Sequence, residues 1–248
     1  MNDMAGIYTL GVSNRTVITG NLIHDVEAYQ SPVGYCLGAG IYLDQSSAEL
    51  TIENNICYRV SNAGFFLHNG RNNRVINNVF AEIQALGRIG WGMNFTARVG
   101  KNENGHVAER NIVYRCSGKG AKASMTGAPK EGQETERFIT IDKNIYWCPE
   151  TESMTFSLAH DDAPSELVGM EDWQGAGYDA QGLSEDPLFV DPAQHDYRLK
   201  PGSPAQRLGI TSIDTAGIGL YGETSWRDTP LGIRMRPVDQ PVAFTPRS

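Results

Sequence analysis

Long apolar runs are missing from this sequence of 248 residues. A membrane-spanning helix needs roughly 20 consecutive, mainly apolar residues, and no stretch approaches that length. Met1 is also not followed by the basic and apolar regions that define a signal peptide. The sequence therefore predicts a soluble chain that has no membrane partner and carries no targeting signal of its own.

An excess of basic residues is missing too, since 21 Lys and Arg stand against 29 Asp and Glu and the net charge is −8. Proteins that bind nucleic acid present basic patches to the phosphate backbone, whereas an acidic surface repels phosphates and anionic membranes. We therefore expect no nucleic acid partner.

Cysteine is scarce, and the four cysteines, Cys36, Cys57, Cys116 and Cys148, form no C-x-x-C pair. We predict that they are small buried hydrophobic side chains; a disulfide and, less readily, a zinc site are the alternatives. The five histidines are too scattered to complete a metal site with them. The sequence predicts no metal and no cofactor.

What the sequence does contain is one phrase that recurs five times. Three full copies run from Gly6 to Val26, from Gly40 to Val60 and from Gly64 to Ile83, and two degenerate copies end at Cys116 and Cys148. Self-similarity at this period is typical of solenoids and propellers. The aligned asparagines are Asn21, Asn55, Asn78, Asn111 and Asn144, separated by 34, 23, 33 and 33 residues.

Two apolar columns emerge when the copies are aligned, and we expect both to face inward. Short β-branched runs broken by Asn and Gly favour strands over helices. Asparagine suits the bends, because it tolerates left-handed backbone angles, and stacked asparagines can form a hydrogen-bonded ladder. One column follows the asparagine: Leu22, Ile56, Val79, Ile112 and Ile145. The other precedes it by three residues: Ile18, Ile52, Val75, Ala108 and Ile141.

This pattern predicts an all-β fold, a right-handed parallel β-helix in which each strand pairs with its counterpart in the next coil about 4.8 Å away. We assign residues 1–182 to coils with inserted loops and residues 183–248 to a C-terminal cap and extended tail of the same domain. The insertion at residues 117–136 has few large apolar residues and predicts a mobile lid or disorder. Beyond Cys148 the period fades into an irregular stretch whose Trp173 and Tyr178 can pack across the last coil.

The first coil begins without a polar cap, although the terminal repeats of solenoids need one. We therefore expect a piece of a longer β-helix, or a homo-oligomer or other partner that covers the N-terminal coil.

Alternation within the second copy turns Tyr42 and Asp44 outward. The equivalent positions form one outward column of Tyr8, Tyr42 and Phe66, and a second in which Asp44 and His68 stand about 5 Å apart. A carboxylate, an imidazole and an aromatic wall are what a sugar ring needs, so an oligo- or polysaccharide is the expected ligand. The alternatives are an aromatic stack packed under a loop and a surface ion pair.

Two further residues are substrate-binding candidates. Arg71 follows His68 closely and could clamp a carboxylate or satisfy the bend. Trp91 is the other candidate.

The motifs DMAGIYTLG, NLIHDV, GAGIYLDQSS, HNGRNN, DPLFVDP, LKPGSPA and IGLYGETSW resemble those of bacterial right-handed β-helix carbohydrate enzymes, closest to glycoside hydrolase family 141. The resemblance implies α-L-fucosidase or xylanase activity, with Asp3 and Asp44 as the catalytic pair, and full-length relatives that are secreted or periplasmic. Ala5 departs from the family pattern, in which a second glycine is common.

The sequence leaves three functional hypotheses open. The first is a glycoside hydrolase, in which one carboxylate acts as general acid and the other as base or nucleophile. The second is a polysaccharide lyase, which would abstract a proton beside a uronate. The third is a non-catalytic glycan-binding or truncated β-helix fragment.

Overall fold

The computed structural model describes residues 3–28, 37–84, 90–98, 101–116, 119–126, 138–151, 153–160, 166–220 and 222–232. Within these residues the chain winds through three main sheets, visiting one after another and then returning to the first. Among the described residues, no helix has the length and apolar character needed to cross a bilayer.

The front sheet has seven strands: Asp3–Thr9, Leu37–Leu43, Ala63–His68, Trp91–Arg98, Lys119–Thr126, Thr155–His160 and the antiparallel Glu166–Val168. The second sheet has five strands: Val17–Thr19, Thr51–Glu53, Arg74–Ile76, His106–Glu109 and Ile139–Asp142. The third sheet has five strands: Leu22–Val26, Ile56–Val60, Val79–Ala81, Ile112–Tyr114 and Ile145–Trp147.

The strands of each coil pair in parallel with those of the next coil, in the register that the aligned sequence copies predict. Ile52 pairs with Ile18 on one side and Val75 on the other. Such pairing places equivalent side chains in columns, because side chains alternate between the two faces of a strand. The column that contains Ile18, Ile52, Val75, Ala108 and Ile141 is buried in the core between the sheets, which confirms that prediction.

The column that follows the asparagines is also buried, with Leu22 only partly so, but it lies on the opposite side of the sheet from the one predicted. Cys57 and Val60 enter the core between the sheets, whereas Ile56 and Tyr58 pack outside the third sheet. The expectation that this column faces inward is therefore wrong. Its residues form a second core with side chains from the C-terminal segment, namely Phe189, Tyr197, Ala205, Ile210 and Ile213.

The C-terminal segment therefore lies along the outer face of the third sheet. The prediction that it caps the end of the coils is wrong. It contains a hairpin, Phe189–Asp191 with Asp196–Leu199, and two 3₁₀ turns, Pro192–Gln194 and Pro204–Leu208. The Tyr197 hydroxyl donates to Glu82 at 2.9 Å, and Asn77 Oδ1 accepts from the Thr211 amide at 2.8 Å. Thr224–Arg227 is a short helix, Thr229–Gly232 is a 3₁₀ turn, and most of the predicted tail lies outside the described residues.

Aromatic residues pack at the C-terminal end of the coils, as predicted for Trp173 and Tyr178. The helix Met170–Gly175 carries Trp173, whose ring stacks on Phe156 at 5.1 Å and on Tyr178 at 4.5 Å between centroids. All three residues belong to the core between the sheets. The prediction that this stretch is irregular is wrong, because Thr155–His160 continues the front sheet.

The asparagines form the predicted ladder. The side-chain amide of each donates to Oδ1 of the next, at 2.8 Å from Asn21 to Asn55 and at 3.0 Å at the following three steps. The left-handed residue of each bend is not the ladder asparagine but the one before it, for example Asn54 and Arg110. The ladder ends on the buried Asp179, whose Oδ1 accepts from Asn144 Nδ2 at 2.8 Å.

Two other predictions have outcomes in the described residues. The strand Lys119–Thr126 contradicts the mobile lid or disorder predicted for residues 117–136. The small residues of this strand fit a crowded position, since a Cβ on Gly120 would lie 2.7 Å from Phe156 and 2.8 Å from Tyr146. Cys57, Cys116 and Cys148 are buried free thiols, as predicted. Cys36 and residues 127–137 lie outside the described residues.

Candidate functional site

The candidate site lies on the outward face of the front sheet, where a repeated glycine determines which side chains point outward. A Cβ on Gly40 would lie 2.8 Å from Cys57, so Gly40 faces the core, and Ile41 is also in the core. Because these two consecutive residues face inward, the residues on either side of them, Ala39 and Tyr42, face outward. There they pack with Ala63 and Phe66. The register pairs Tyr42 with Tyr8 and with Phe66, as the sequence predicts.

Asp44 lies directly after the strand that carries Tyr42 and is only 8% exposed. Its carboxylate accepts three hydrogen bonds. The Tyr8 hydroxyl donates to Oδ2, His68 Nδ1 lies 2.8 Å from Oδ1, and the Gln45 amide donates to Oδ1 at 2.7 Å. The predicted proximity of Asp44 and His68 is confirmed.

These donors determine the charge state of Asp44. Burial raises the pKa of its carboxyl, but the hydrogen bonds from Tyr8, His68 and the Gln45 amide lower the pKa by more, so it lies below the ordinary 3.8. Burial and the bond to Asp44 raise the pKa of Tyr8, which keeps the Tyr8 hydroxyl protonated and donating. Asp44 is therefore an ionised carboxylate at neutral pH.

Asp3 begins the first strand of the front sheet. Its environment raises the pKa of its carboxyl, whereas that of Asp44 is lowered. The residue is exposed, but neighbouring atoms partly desolvate its carboxyl. This desolvation and the negative charge of Asp44 raise the pKa of Asp3 above 3.8, against a smaller lowering by His68. The two carboxyl groups are thus electrostatically coupled, and their pKa values are pushed apart.

The aromatic column is a packed floor and not the open flat wall that the sequence predicts. Tyr8 is 42% exposed, but Tyr42 and Phe66 are 2% and 5% exposed. The Tyr8 ring stands nearly perpendicular to Tyr42, at 80°, and the Tyr42 ring tilts by 35° against Phe66. Ala39 and Ala63 pack beside Tyr42 and Phe66 on the same face. Of the three, Tyr8 has the ring surface that a sugar could contact.

Arg71 follows His68 in the short strand Gly70–Arg71, which pairs with Ser47–Ala48 outside the front sheet, and its side chain is exposed. It lines a hollow of about 160 Å³ together with Ser46, Arg98 and Glu103. Arg98 is already paired, because its Nε donates to Glu103 at 2.9 Å. The hollow places a guanidinium on the carboxyl-terminal side of the strand that bears His68.

Trp91 also lies on the outward face, but it is 4% exposed, and Lys119 Nζ lies 5.5 Å from its ring centroid. The Trp91 strand and the next two strands of the front sheet continue the column of Tyr8, Tyr42 and Phe66 with Asn94, Lys122 and Ser157, which the sequence pattern did not predict. These three residues lie in coils whose copies of the repeated sequence are degenerate, so the alignment of the copies does not include them.

Metal binding has no visible ligand set. Among the residues that the structure describes, no group of three or more His, Cys, Asp or Glu side chains is placed to hold a metal ion. The candidate side chains offer two carboxyl groups, an imidazole, a tyrosine hydroxyl and a guanidinium.

Comparison with known proteins identifies the family. The model of a family described as "Right handed beta helix region" matches residues 2–132, and the chain belongs to that family. Together with the parallel sheets, this match supports the predicted all-β right-handed helix. It contains nothing specific to glycoside hydrolase family 141.

A relative of unknown function was also found. The "Uncharacterized protein YwoF" of Bacillus subtilis (strain 168) is 25% identical over 202 residues, which are 67% of this chain and 40% of YwoF. The match thus covers less than half the length of that relative. No solved structure matches the chain.

Proposed function

We propose that this chain is a glycoside hydrolase that cleaves oligo- or polysaccharide with Asp44 and Asp3 as its carboxyl pair. The observation that carries the proposal is the geometry at Asp44, whose carboxylate accepts hydrogen bonds from Tyr8, His68 and the Gln45 amide, together with the opposite displacement of the pKa values of Asp44 and Asp3. Pairs of titratable groups with separated pKa values are typical of acid and base roles in catalysis. The right-handed β-helix fold is consistent with carbohydrate chemistry, although fold alone does not assign activity.

The roles follow from the protonation states. Asp44 remains ionised and so suits the base or nucleophile, while Asp3 retains a proton to higher pH and suits the general acid. His68 and Tyr8 would orient the Asp44 carboxylate through their hydrogen bonds. Tyr8 and Arg71 are the exposed residues that could contact the sugar, whereas Tyr42, Phe66 and Trp91 are almost fully buried.

The experiment is a substrate screen with matched variants. Aryl glycosides and plant polysaccharides are incubated with the wild type, Asp44→Asn, Asp3→Asn and the control Asp172→Asn, which changes an exposed helix carboxylate. Loss of an acid or base costs about 10²- to 10⁴-fold in rate, so we expect that loss at Asp44 and Asp3 and full activity at Asp172. An Asp44→Asn variant that folds and keeps more than about a tenth of wild-type activity would exclude Asp44 from the role.

The same screen separates the other two hypotheses. A polysaccharide lyase would release unsaturated products that absorb in the ultraviolet, whereas a hydrolase releases reducing ends without that absorbance. A non-catalytic binder would migrate more slowly in gels that contain its glycan and would release neither product. Both readouts are therefore recorded for every polysaccharide.

A pH profile tests the assignment of roles. Activity should fall on the acid side as Asp44 gains its proton, below the ordinary carboxyl pKa of 3.8, and on the alkaline side as Asp3 loses its proton, above 3.8. The bell-shaped profile of kcat/KM reports both groups in the free enzyme. If the alkaline limb survives unchanged in the residual activity of Asp3→Asn, another group is the acid.

A further inference from the structure

The hollow beside Arg71 lies where three successive coils bend away from the front sheet. Its volume is about 160 Å³, which is room for about five water molecules at roughly 30 Å³ each. Pockets that enclose a whole ligand are larger, roughly 300–1,000 Å³, so this hollow suits one charged group of a longer ligand. The residues that line it include Ser46, Gly70, Arg71, Arg98, Lys101 and Glu103.

Two glycines allow the bends around the hollow to approach one another closely. Gly70 has a φ of +150°, and a Cβ there would lie 2.2 Å from the Ser47 carbonyl oxygen. Gly105 has a φ of +74°, and a Cβ there would lie 2.2 Å from Asn72 Oδ1. The Asn72 amide also donates to the Asn104 carbonyl at 2.9 Å. The backbone of the coils therefore determines where the walls of the hollow stand.

The hollow carries more positive than negative charge. The Glu103 side chain is only 8% exposed, and Arg98 compensates its charge, because Nε and the backbone amide of Arg98 donate to its two oxygens at 2.9 Å and 2.7 Å. Arg71 and Lys101 are exposed, and neither side chain forms an ion pair with any residue that the structure describes. Two cations thus share one hollow in a chain whose net charge is −8.

The hollow also adjoins the candidate catalytic groups. Ser46 follows Asp44 by two residues, and Gly70 follows His68 by two residues. Two residues span at most about 7 Å. The Ser47 amide donates to the Asp44 carbonyl at 3.0 Å, which keeps the chain turned at this point. One glycan chain could therefore place one group in the hollow and another beside Asp44.

The two exposed cations match an oxyanion better than a neutral sugar. The planar guanidinium of Arg71 can donate two parallel hydrogen bonds to a carboxylate or sulfate, and the Lys101 ammonium adds a point charge. Such charge-assisted hydrogen bonds are roughly twice as strong as those to a neutral hydroxyl. The hollow should therefore discriminate between charged and neutral sugars.

We propose that this hollow is a subsite for the carboxylate or sulfate group of an acidic glycan, with Arg71 and Lys101 as the residues that bind it. The proposal rests on the proposed function and specifies its substrate class as an anionic glycan. Arg98, held by Glu103, forms the wall between the bound group and the end of the front sheet.

Binding to defined ligands tests the subsite. Isothermal calorimetry uses oligogalacturonides, which carry carboxylates, κ-carrageenan oligosaccharides, which carry sulfates, neutral xylo-oligosaccharides and inorganic sulfate. All proteins carry Asp44→Asn, so that no glycan is cleaved during the measurement. We expect at least one anionic glycan to bind at least about tenfold more tightly than the neutral one, because charge-assisted hydrogen bonds are available only to the anion.

Variants attribute the preference to the two cations. Arg71→Gln should weaken binding of the anionic glycan by about tenfold, and Lys101→Met by about threefold, since an exposed point charge is screened by water and salt. The double variant should bind anionic and neutral glycans equally. Lys200→Met, which removes an exposed lysine from the C-terminal segment, should bind like the parent. Thermal melting verifies that each variant is folded, and the single variants provide the test if the double variant is not.

The outcomes separate this proposal from the proposed function. An anionic preference that the variants remove would support the subsite, even if the wild type hydrolyses no glycan, and the preferred glycan would identify the anion. Equal binding of anionic and neutral glycans, no binding of any glycan, binding of inorganic sulfate alone, or a preference that the folded variants keep would overturn it. Hydrolysis of a neutral glycan that depends on Asp44, without any anionic preference, would support the hydrolase and exclude the subsite.

Discussion

His106 is a buried histidine that the structure holds without charge. Its Nδ1 accepts from the Asn73 amide at 3.3 Å, and its Nε2 donates to the Gly70 carbonyl at 3.2 Å. Burial lowers the pKa of His106 to about 4, from an ordinary 6.5, against a smaller opposing effect of the bond to Gly70. Both ring nitrogens are thus used by the neutral form.

We predict that His106 makes the protein less stable in mild acid. Because its pKa in the folded state is below that of the unfolded chain, its contribution is fully present above about pH 6.5 and is lost as pH falls towards 4. The loss amounts to about 3 kcal/mol at most, at 1.36 kcal/mol per pKa unit. Urea unfolding at pH 7 and pH 4.5 should show a smaller difference in His106→Gln than in the wild type.

Asn14→Ala provides the control for this measurement. It changes an exposed side chain without a titratable group and should keep the wild-type difference between the two pH values. A His106→Gln variant with the full wild-type pH dependence would contradict the assignment.

The asparagine ladder gives a second prediction for single residues. Asn111 Oδ1 accepts from both the backbone amide and the side-chain amide of Asn78, each at 3.0 Å. Asn111→Ala leaves the Asn78 backbone amide without an acceptor, whereas Asn78 Nδ2 keeps the carbonyls of Ile52 and Ile76. An unsatisfied buried group costs about 1–3 kcal/mol, so chemical denaturation should show a loss in that range, whereas Asn14→Ala, at an exposed position, should change little.

At the level of residues, the sequence predicts the ladder and the proximity of Asp44 to His68, because equal positions in equal copies must stack. It does not predict the hydrogen bond from Tyr8 to Asp44, which joins two different columns. Nor does it predict that Asp179 ends the ladder. A carboxylate suits that end because every group that contacts it there is a donor, including Tyr146 and Trp173.

The third sheet and the C-terminal segment stabilise each other as elements. Ile112 is buried between them and lies in the same core as Phe189 and Ile210. Truncation of a buried aliphatic side chain typically costs about 2–5 kcal/mol. Ile112→Ala should therefore lower the free energy of unfolding by that amount in urea titrations.

The exposed Val190 serves as the comparison for Ile112. Val190→Ala should cost less than about 0.5 kcal/mol, because surface substitutions away from special features usually stay within that range. If Ile112→Ala costs as little, the segment does not pack on the third sheet as described.

The side on which the Ile112 column lies could not be read from the sequence. Both faces of the third sheet are apolar, and the residues that cover the outer face come from positions 189–213, far along the chain. The strand Lys119–Thr126 escaped prediction for a different reason. Its small residues fit a crowded core beside Phe156 and Tyr146, so the apolar bulk that marks other strands is absent.

Among the described residues, the first coil forms one edge of each of the three main sheets. The strands Asp3–Thr9, Val17–Thr19 and Leu22–Val26 each stand at the end of a sheet, and Leu10, Val12 and Val17 are exposed beside them. Among the described residues, no donor reaches Oδ1 of Asn21, the first asparagine of the ladder. Unpaired parallel edges with apolar side chains favour association with another chain.

We predict that the first coil is an interface. Sedimentation velocity should show association that increases with protein concentration, and Val17→Lys and Leu10→Lys should reduce it. Leu167→Lys, at the opposite edge of the front sheet, should leave it unchanged. A monomer at every concentration, or equal effects of all three substitutions, would contradict the prediction.

The ladder also makes the coils interchangeable. Each interior asparagine accepts from the coil before it and donates to the coil after it, so every interior position poses the same chemical requirement. The unit from Ile56 to Asn78 is the shortest such period, with 23 residues between consecutive asparagines. Duplication or excision of that unit would leave the first coil and the terminal Asp179 with unchanged neighbours in the ladder. A gene that encodes such a chain can therefore change the number of coils in whole steps without redesigning either end.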